Sequence, residues 1–238
     1  MIMIIYGVNP VAEALRSPQE LDWVAVAKGK DRPALSKIRR SAEQRAIPIR
    51  EVDDIDRESM ARENQGVCAS CASSLAKPLP KKLDASRYVL LDGLQDPHNF
   101  GAAIRVCECL GFRNIIYHTG DSCGLTPAAI KSSSGAIFHV RLFFSNLNRA
   151  VQRLQEDEIA ICAMENTADA VDLREAAIPE KYCLVLGSEG RGVRHNILRN
   201  ANHVWRLPLA GKINSLNVSC ALTAALWELN GRPSAQPS

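Results

Sequence analysis

The sequence lacks the features that mark several common classes of protein. No apolar run approaches the length that a bilayer-spanning helix needs, and residues 1–6 are too short and lack the basic start of a secretory signal. No lysine follows a glycine run as in a nucleotide-binding P-loop, and neither a nucleophile elbow nor a His-Glu-x-x-His pair is present. These absences predict a cytoplasmic protein with no membrane partner, and they disfavour NTP hydrolysis and metal-dependent hydrolysis.

The eight cysteines do not form a disulfide or metal framework. They are scattered, mostly inside apolar runs, where a thiol behaves as a small hydrophobic group. Cys68 and Cys71 have the spacing of half a zinc site, but the sequence offers no second Cys-x-x-Cys or His pair to complete the ligand set. We therefore favour a strand that begins near Gly66, and we expect no metal.

Basic charge is concentrated in one segment. Residues 28–50 contain eight lysines and arginines against two acidic residues, whereas the whole chain has a net charge of only +3. This concentration indicates a surface for a polyanion, on a predicted helix over residues 34–46. The predicted RNA contacts are the basic side chains of that helix: Lys37, Arg39, Arg40 and Arg45. An ordinary solvated helix face is the alternative interpretation.

Alternating strand and helix patterns divide the chain into two units. Residues 1–75 form a small predicted α/β module, and residues 87–238 form a larger α/β domain that includes a short helix over 173–177. Residues 76–86 are rich in proline and charge and follow neither period, which predicts a semi-extended linker. The alternation in the larger unit favours a mainly parallel sheet covered on both faces.

Three segments of the larger unit combine glycines with polar residues directly after apolar strands. The first enters a helix near Asn99 and Arg105, an arrangement suited to a phosphate, although singly these residues are more typical of a helix cap and a surface arginine. The second runs from Gly187 to Gly192, and its glycine order differs from the dinucleotide fingerprint, which disfavours hydride transfer. The third extends from Leu207 to Ser219. Open α/β sheets bind small molecules at such strand ends, so the last two segments predict a cofactor pocket.

Together, the three segments resemble the three motifs of the SpoU (TrmH) family of RNA 2′-O-ribose methyltransferases. In order, they read Asp-Pro-His-Asn-Phe-Gly-Ala-Ala-Ile-Arg, Leu-Val-Leu-Gly-Ser-Glu-Gly-Arg-Gly-Val and Leu-Pro-Leu-Ala-Gly-x-x-x-Ser-Leu-Asn-Val-Ser. This resemblance covers residues 88–229. The opening Ile-Tyr-Gly-Val-Asn-Pro-Val-Ala-Glu-Ala-Leu resembles the RNA-binding extension of the RlmB-like branch, whose members modify large-subunit ribosomal RNA.

The resemblance implies a fold, a cofactor and an assembly. The fold is a SPOUT-type α/β domain whose C-terminal chain forms a trefoil knot, and the small amino-terminal α/β domain binds RNA. The implied assembly is an obligate homodimer with the helix over 218–229 near its interface. The implied cofactor is S-adenosylmethionine, with no metal. Its implied contacts are Gly187, Leu207, Leu216, Met164 and Glu165.

The resemblance also implies catalytic residues. These are Arg105, Asn99, Glu189, Ser215 and Asn217, with Arg105 held by way of Asn99. A guanidinium has a pKa above about 12 and releases its proton reluctantly. We therefore expect Arg105 chiefly to bind phosphate and stabilise a developing alkoxide, with the neighbouring His98 as an alternative base.

The implied substrate is the ribose of a guanosine in 23S ribosomal RNA. One alternative is transfer RNA, for which other branches of the family carry different extensions. A second alternative is a non-catalytic RNA-binding protein of ribosome assembly. The complete set of five catalytic positions argues against this second alternative.

Overall fold

This computed structural model describes residues 3–30, 32–71, 74–213 and 215–232, within which twelve strands, eight α-helices and a 3-10 helix over Ala136–His139 are formed. The strands are β1 (Met3–Tyr6), β2 (Trp23–Ala27), β3 (Ile49–Val52), β4 (Val67–Cys71), β5 (Ala76–Pro78), β6 (Arg87–Asp92), β7 (Asn114–His118), β8 (Arg141–Ser145), β9 (Ala160–Met164), β10 (Val171–Asp172), β11 (Tyr182–Gly187) and β12 (His203–Arg206). The helices are α1 (Val8–Arg16), α2 (Pro33–Gln44), α3 (Ile55–Ser59), α4 (Pro97–Cys109), α5 (Pro127–Ser132), α6 (Leu147–Glu156), α7 (His195–Asn200) and α8 (Val218–Asn230). None of these helices is long and apolar enough to cross a bilayer.

The amino-terminal module is built on a four-stranded sheet in the order β1-β4-β2-β3. The central strand β4 runs antiparallel to both of its neighbours, while β2 and β3 are parallel. Cys68 and Cys71 are buried in β4, as the strand interpretation predicts. Burial raises the pKa of the Cys68 thiol to about 12, so this cysteine stays protonated and packs as an apolar side chain.

The larger domain contains an eight-stranded sheet in the order β10-β12-β9-β11-β6-β7-β8-β5. All of its strand pairs are parallel, which confirms the predicted parallel sheet. Alternate residues of the central strands enter two cores. In β6, Val89 and Leu91 pack in the core that contains buried residues of α4 and α8, while Tyr88 and Leu90 pack with those of α6 and α7. The sheet is therefore covered on both faces.

Two predicted elements were wrong. The segment over 76–86 is not simply a linker, because β5 pairs with β8 at the edge of the large sheet and the backbone N–H of Leu79 donates to Phe144 O at 3.0 Å. An edge strand tolerates Pro78, which cannot donate a hydrogen bond. The helix over 173–177 is also absent, because Leu173 instead donates its N–H to Arg206 O at 3.0 Å, directly after β10.

The parallel arrangement brings the carboxyl ends of all eight strands to one edge of the large sheet. The three glycine-bearing and polar segments of the sequence follow β6, β11 and β12. Segments that are about a hundred residues apart along the chain therefore converge at this edge.

Candidate active site

Two adjoining cavities open at the carboxyl edge of the large sheet. The larger cavity, of about 660 Å³, lies between the segments that follow β9, β11 and β12. The smaller cavity, of about 370 Å³, is lined by the segment after β6 and by Asn99 in α4. Ser188 and Glu189 line both cavities. The two spaces therefore meet at the loop that follows β11.

A polar network of three side chains joins the three sequence segments where the cavities meet. Asn99 donates from Nδ2 to Glu189 Oε1 at 3.1 Å, and Asn217 donates from Nδ2 to the same carboxylate oxygen at 2.8 Å. Asn217 Nδ2 also lies 3.0 Å from Asn99 Oδ1. The network fixes two amides and one carboxylate around a single point, where they can orient a polar group of a ligand.

Two helix starts hold the amides of this network in place. Asn99 lies in the first turn of α4, where Asp96 caps the helix by accepting the His98 N–H at 2.9 Å. Asn217 is itself the cap of α8, because its Oδ1 accepts the Ser219 N–H at 2.9 Å. Since a capping side chain has a fixed orientation, the Asn217 amide is directed toward Glu189 by the start of α8.

The loop after β11 folds tightly onto itself and onto Glu165. A Cβ atom at position 187 would lie 1.9 Å from the carbonyl carbon of Gly192, and a Cβ at Gly192, whose φ is +70°, would lie 2.2 Å from Glu165 Oε2. The same Glu165 oxygen accepts the Val193 N–H at 2.7 Å. Gly187 lines the cavity as predicted, but the space beside its Cα is occupied by the loop itself and not reserved for a ligand.

The larger cavity has the size and the lining of a site for a small organic cofactor. Its volume lies within the range of about 300–1,000 Å³ that is usual for such ligands. All five predicted cofactor contacts line it: Met164, Glu165, Gly187, Leu207 and Leu216. Leu209 and Leu216 also line it and are 37% and 46% exposed, so an apolar ring bound there would cover them. The polar groups of Ser188 and Asn166 lie in the same lining, and the residues present therefore fit S-adenosylmethionine.

Four of the five predicted catalytic residues are brought together, and the fifth is not. Glu189, Ser215 and Asn217 line the larger cavity, and Asn99 joins them through the network. Arg105 lies six residues after Asn99, about one and two-thirds helical turns further along α4. Its Nη1 donates to Ser134 Oγ at 3.2 Å. The described residues show no hydrogen bond between Asn99 and Arg105, so the expectation that Asn99 holds Arg105 stays a prediction.

His98 is exposed and lies outside both cavity linings in the described part of the chain. Its backbone N–H donates to the Asp96 side chain that caps α4, and its carbonyl oxygen accepts a hydrogen bond from the Ser132 hydroxyl at 2.9 Å. Among the described residues, the hydrogen bonds of the polar network do not include the His98 ring.

The basic segment of the amino-terminal module is only partly available to a ligand. Arg45 donates to the carbonyl oxygens at the end of α1 and just beyond it, with N···O distances of 2.8–3.1 Å to Ala14, Leu15, Ser17 and Gln19. The guanidinium of Arg45 satisfies carbonyls that lack helical partners, and its role as an RNA contact stays a prediction. Arg39 pairs with Glu51 at 2.7 Å, whereas Lys37 and Arg40 are exposed.

Four charged residues beside the smaller cavity were missed by the sequence reasoning. Asp92 is fully buried at the end of β6 and pairs with Arg194 at 3.1 Å. Asp121 accepts from Arg194 Nη2 at 2.5 Å and lies 3.4 Å from Arg191 Nη1. An aspartate that ends an otherwise apolar strand was the available signal for Asp92. The partner of Asp92 is Arg194, 102 residues further along the chain and directly before α7, and no spacing in the sequence indicates this pair.

Sequence comparisons match both units of the chain. Residues 86–227 match the SpoU rRNA methylase family, and residues 4–75 match the family described as RNA 2′-O ribose methyltransferase substrate binding. The 23S rRNA (guanosine-2′-O-)-methyltransferase RlmB of Shewanella oneidensis is 30% identical over 235 residues, covering 94% of this chain and 95% of its own. A TrmH family tRNA/rRNA methyltransferase of Staphylococcus haemolyticus is 28% identical over 236 residues, covering 95% of this chain and 94% of its own.

Solved structures share the fold over nearly the whole chain. The SpoU methyltransferase AviRb of Streptomyces viridochromogenes has a TM-score of 0.82 at 19% identity and covers 97% of this chain and 89% of its own. The AdoMet-bound rRNA methyltransferase of Sinorhizobium meliloti has a TM-score of 0.77 at 22% identity, with coverages of 95% and 86%. The matches to both units, together with the cavity and its polar network, establish that the chain belongs to the SpoU family of S-adenosylmethionine-dependent RNA 2′-O-ribose methyltransferases.

Proposed function

We propose that this enzyme methylates the 2′-hydroxyl of a guanosine in 23S ribosomal RNA, in the cytoplasm. The larger cavity holds S-adenosylmethionine, and the smaller one receives the target nucleotide. The observation that carries this assignment is the position of the Asn99–Glu189–Asn217 network, because Glu189 lines both cavities. A methyl donor in one cavity and a ribose in the other would meet at this network.

The chemistry requires that the 2′-hydroxyl be positioned and that its proton be released to solvent as the bond from oxygen to the methyl carbon forms and the bond from that carbon to sulfur breaks. When bound, S-adenosylmethionine supplies an electrophilic methyl group, which is already activated for attack by an oxygen nucleophile. The protein must hold the weakly nucleophilic 2′-hydroxyl in line with that group. The amides of Asn99 and Asn217 orient the ribose, and the Glu189 carboxylate accepts a hydrogen bond from a ribose hydroxyl. Ser215, in the lining of the larger cavity, contributes a further hydroxyl.

Arg105 enters this mechanism across a homodimer interface. Its guanidinium is exposed and contacts Ser134, so it lies outside the network of its own subunit. Helices α4 and α8 pack against each other, and Trp227 of α8 is 72% exposed, an unusual position for a large apolar side chain. A dimer that covers α8 would bring Arg105 of the partner subunit to the target phosphate, where it would stabilise the developing alkoxide.

Mixing two inactive variants tests this arrangement. Arg105→Ala and Asn217→Ala homodimers should each be inactive. Mixed dimers, formed by co-expression with two affinity tags, should regain up to half of the wild-type activity per dimer, because one of their two sites then has both residues. Regained activity requires that Arg105 and Asn217 of one site come from different subunits. Mixed dimers that remain inactive would contradict the shared site.

The finer fold features are also part of the proposal. We infer that the C-terminal chain forms a trefoil knot. In the sheet, β9 lies between β11 and β12, and after β12 the chain returns so that α8 packs against α4 and β11. We assign residues 1–75 to RNA binding and 87–238 to catalysis, with 76–86 connecting them. Among the predicted RNA contacts, Lys37 and Arg40 have the exposure that this role needs.

The choice of ribosomal RNA is supported by the similarity to the Shewanella RlmB over both units. Incubation with tritium-labelled S-adenosylmethionine and separately purified ribosomal and transfer RNA tests it. Label should enter 23S ribosomal RNA and leave transfer RNA unlabelled. Label in transfer RNA alone would show that the enzyme acts on transfer RNA instead. No label in either RNA would contradict the proposal.

A further inference from the structure

A third cavity at the carboxyl edge of the large sheet belongs to neither the cofactor site nor the target site. It has a volume of about 700 Å³ and lies at the start of α6, beyond the ends of β7 and β8. Three arginines line it, Arg149, Arg153 and Arg194, together with His118. The rest of its described lining is three asparagines, one glutamine and Leu147, with no carboxylate. A polar cavity with only basic charged groups in its lining is suited to an anion.

Arg149 differs from the other two arginines of this cavity because its side chain is not paired with a carboxylate in the described chain. Arg194 is paired with Asp92 and Asp121, and Arg153 is paired with Glu156 at 2.6 Å. Among the described residues, the side chain of Arg149 has neither an ion-pair partner nor a hydrogen-bond partner, although its backbone N–H is capped by Asn146. The Nε of Arg153 is buried and also lacks a hydrogen-bond partner in the described chain. The cavity therefore has donors that have no partner in the described part of the chain.

A pair of arginines connects this cavity with the target cavity. Arg194 lines the third cavity, Arg191 lines the target cavity, and both contact the carboxylate of Asp121. A Cβ at Gly93, which also lines the target cavity, would lie 2.8 Å from Arg191 and 3.3 Å from Arg194. The sheet edge thus forms one continuous surface that runs from the cofactor cavity through the target cavity to the arginine-lined cavity.

We propose that the cavity at the start of α6 binds a backbone phosphate of the RNA strand that flanks the methylated nucleotide, with Arg149 as its main contact. This inference rests on the proposed function, because it takes the smaller cavity as the target site. An RNA strand that places one nucleotide in the target cavity continues along the same edge of the sheet. Its phosphates are the anions that the unpaired donors of this cavity fit.

Charge reversal of Arg149 tests the proposal. Arg149→Glu should weaken binding of a 23S ribosomal RNA transcript about tenfold, as expected for loss of a charged hydrogen bond. The slope of log affinity against log salt should fall by about one unit. The matched control is Arg113→Glu, because Arg113 is exposed just before β7 at the opposite edge of the sheet. The control should bind RNA as the wild-type protein does, and both variants should bind S-adenosylmethionine normally.

A crosslinking experiment locates the contact on the RNA. Photoreactive benzoylphenylalanine in place of Asn148 should crosslink within a few nucleotides of the ribose that the wild-type enzyme methylates. Equal RNA affinity and equal salt slope for Arg149→Glu and Arg113→Glu would overturn the proposal. It would also be overturned if Arg149→Glu lost only the binding of inorganic phosphate, measured by calorimetry. Failure of the proposed function is separate, since wild-type protein would then bind RNA without transferring methyl groups to it.

Discussion

The carboxyl edge of the large sheet and the basic helix α2 both carry polar residues suited to RNA, but they hold them differently. At the sheet edge, Asn99, Glu189 and Asn217 come from three distant segments and bond to one another. On α2, basic residues follow each other along one helix, and the next residue after its end, Arg45, donates hydrogen bonds to four carbonyls of its own module. The sheet edge is a preorganised site, whereas α2 presents a few exposed charges.

This difference separates two kinds of contribution to function. A fixed network acts on the transition state, where a small displacement of a polar group is costly. Exposed lysines and arginines add long-range attraction that salt weakens. We therefore expect changes at the sheet edge to have large effects on turnover, and changes on α2 to have small effects on RNA affinity.

Loss of Arg105 should have the largest effect. Arg105→Ala should lower turnover at saturating RNA by about two to three orders of magnitude, as for loss of a donor that stabilises transition-state charge. Cofactor affinity should stay within about twofold, because Arg105 lies outside the larger cavity. Tritium transfer and calorimetry measure the two quantities. Normal turnover of a dimeric Arg105→Ala enzyme would refute the role assigned to this residue.

A side chain at position 187 should disrupt the cofactor cavity. Gly187→Val places a Cβ against the Gly192 backbone, so the loop must shift, at a cost of about 1–3 kcal/mol. We expect roughly ten- to hundredfold weaker S-adenosylmethionine binding. Gly211→Ala is the control, because a Cβ there would meet only Ile213 N, at 4.0 Å. Unchanged cofactor binding by a folded Gly187→Val protein would mean that the loop packing is not required for the cavity.

The variants Arg45→Ala and Arg40→Ala should differ in their free energy of unfolding. Arg45→Ala removes hydrogen bonds to four carbonyls and should lower the free energy of unfolding by about 2 kcal/mol. Arg40→Ala, at an exposed position of the same segment, should change it by less than about 0.5 kcal/mol. Urea titration followed by circular dichroism compares them. Equal stabilities would show that the Arg45 contacts contribute nothing measurable.

Charge reversal on α2 should have the smallest effect. The double variant Lys37→Glu/Arg40→Glu should weaken RNA binding severalfold and lower the salt slope by about two units, one for each lost phosphate contact. Cofactor binding and stability should not change. Filter binding of 23S ribosomal RNA across a potassium chloride series measures the effect. An unchanged slope would leave α2 as an ordinary solvated helix face.

The sequence predicted the parallel sheet and the residues that line the larger cavity, and there is a physical reason for this. Apolar strands such as β6 and β11 are buried on both faces, and their ends are marked by glycine and polar residues. The five cofactor positions that the family resemblance implies also lie in one lining. In contrast, β5 and β10 have three and two residues, too few to show a period, and they were missed.

Partners of charged side chains were not predictable from the sequence. Arg45 and Arg40 are alike in local pattern, and only the positions of the α1 carbonyls distinguish them. The link between Arg194 and Asp92 joins residues 102 positions apart, with no motif to indicate it. The contact of Arg105 with Ser134 likewise depends on where the turn before Ala136–His139 packs against α4.

Nucleoside analysis of methylated RNA tests the central claim most directly. Ribosomal RNA from cells that lack the enzyme would be incubated with the protein and S-adenosylmethionine, digested to nucleosides and analysed by mass spectrometry. The account predicts one new product, 2′-O-methylguanosine, with the added methyl group on the ribose fragment. A methyl group on the base, or no ribose-methylated nucleoside from an active, cofactor-binding dimer, would contradict it.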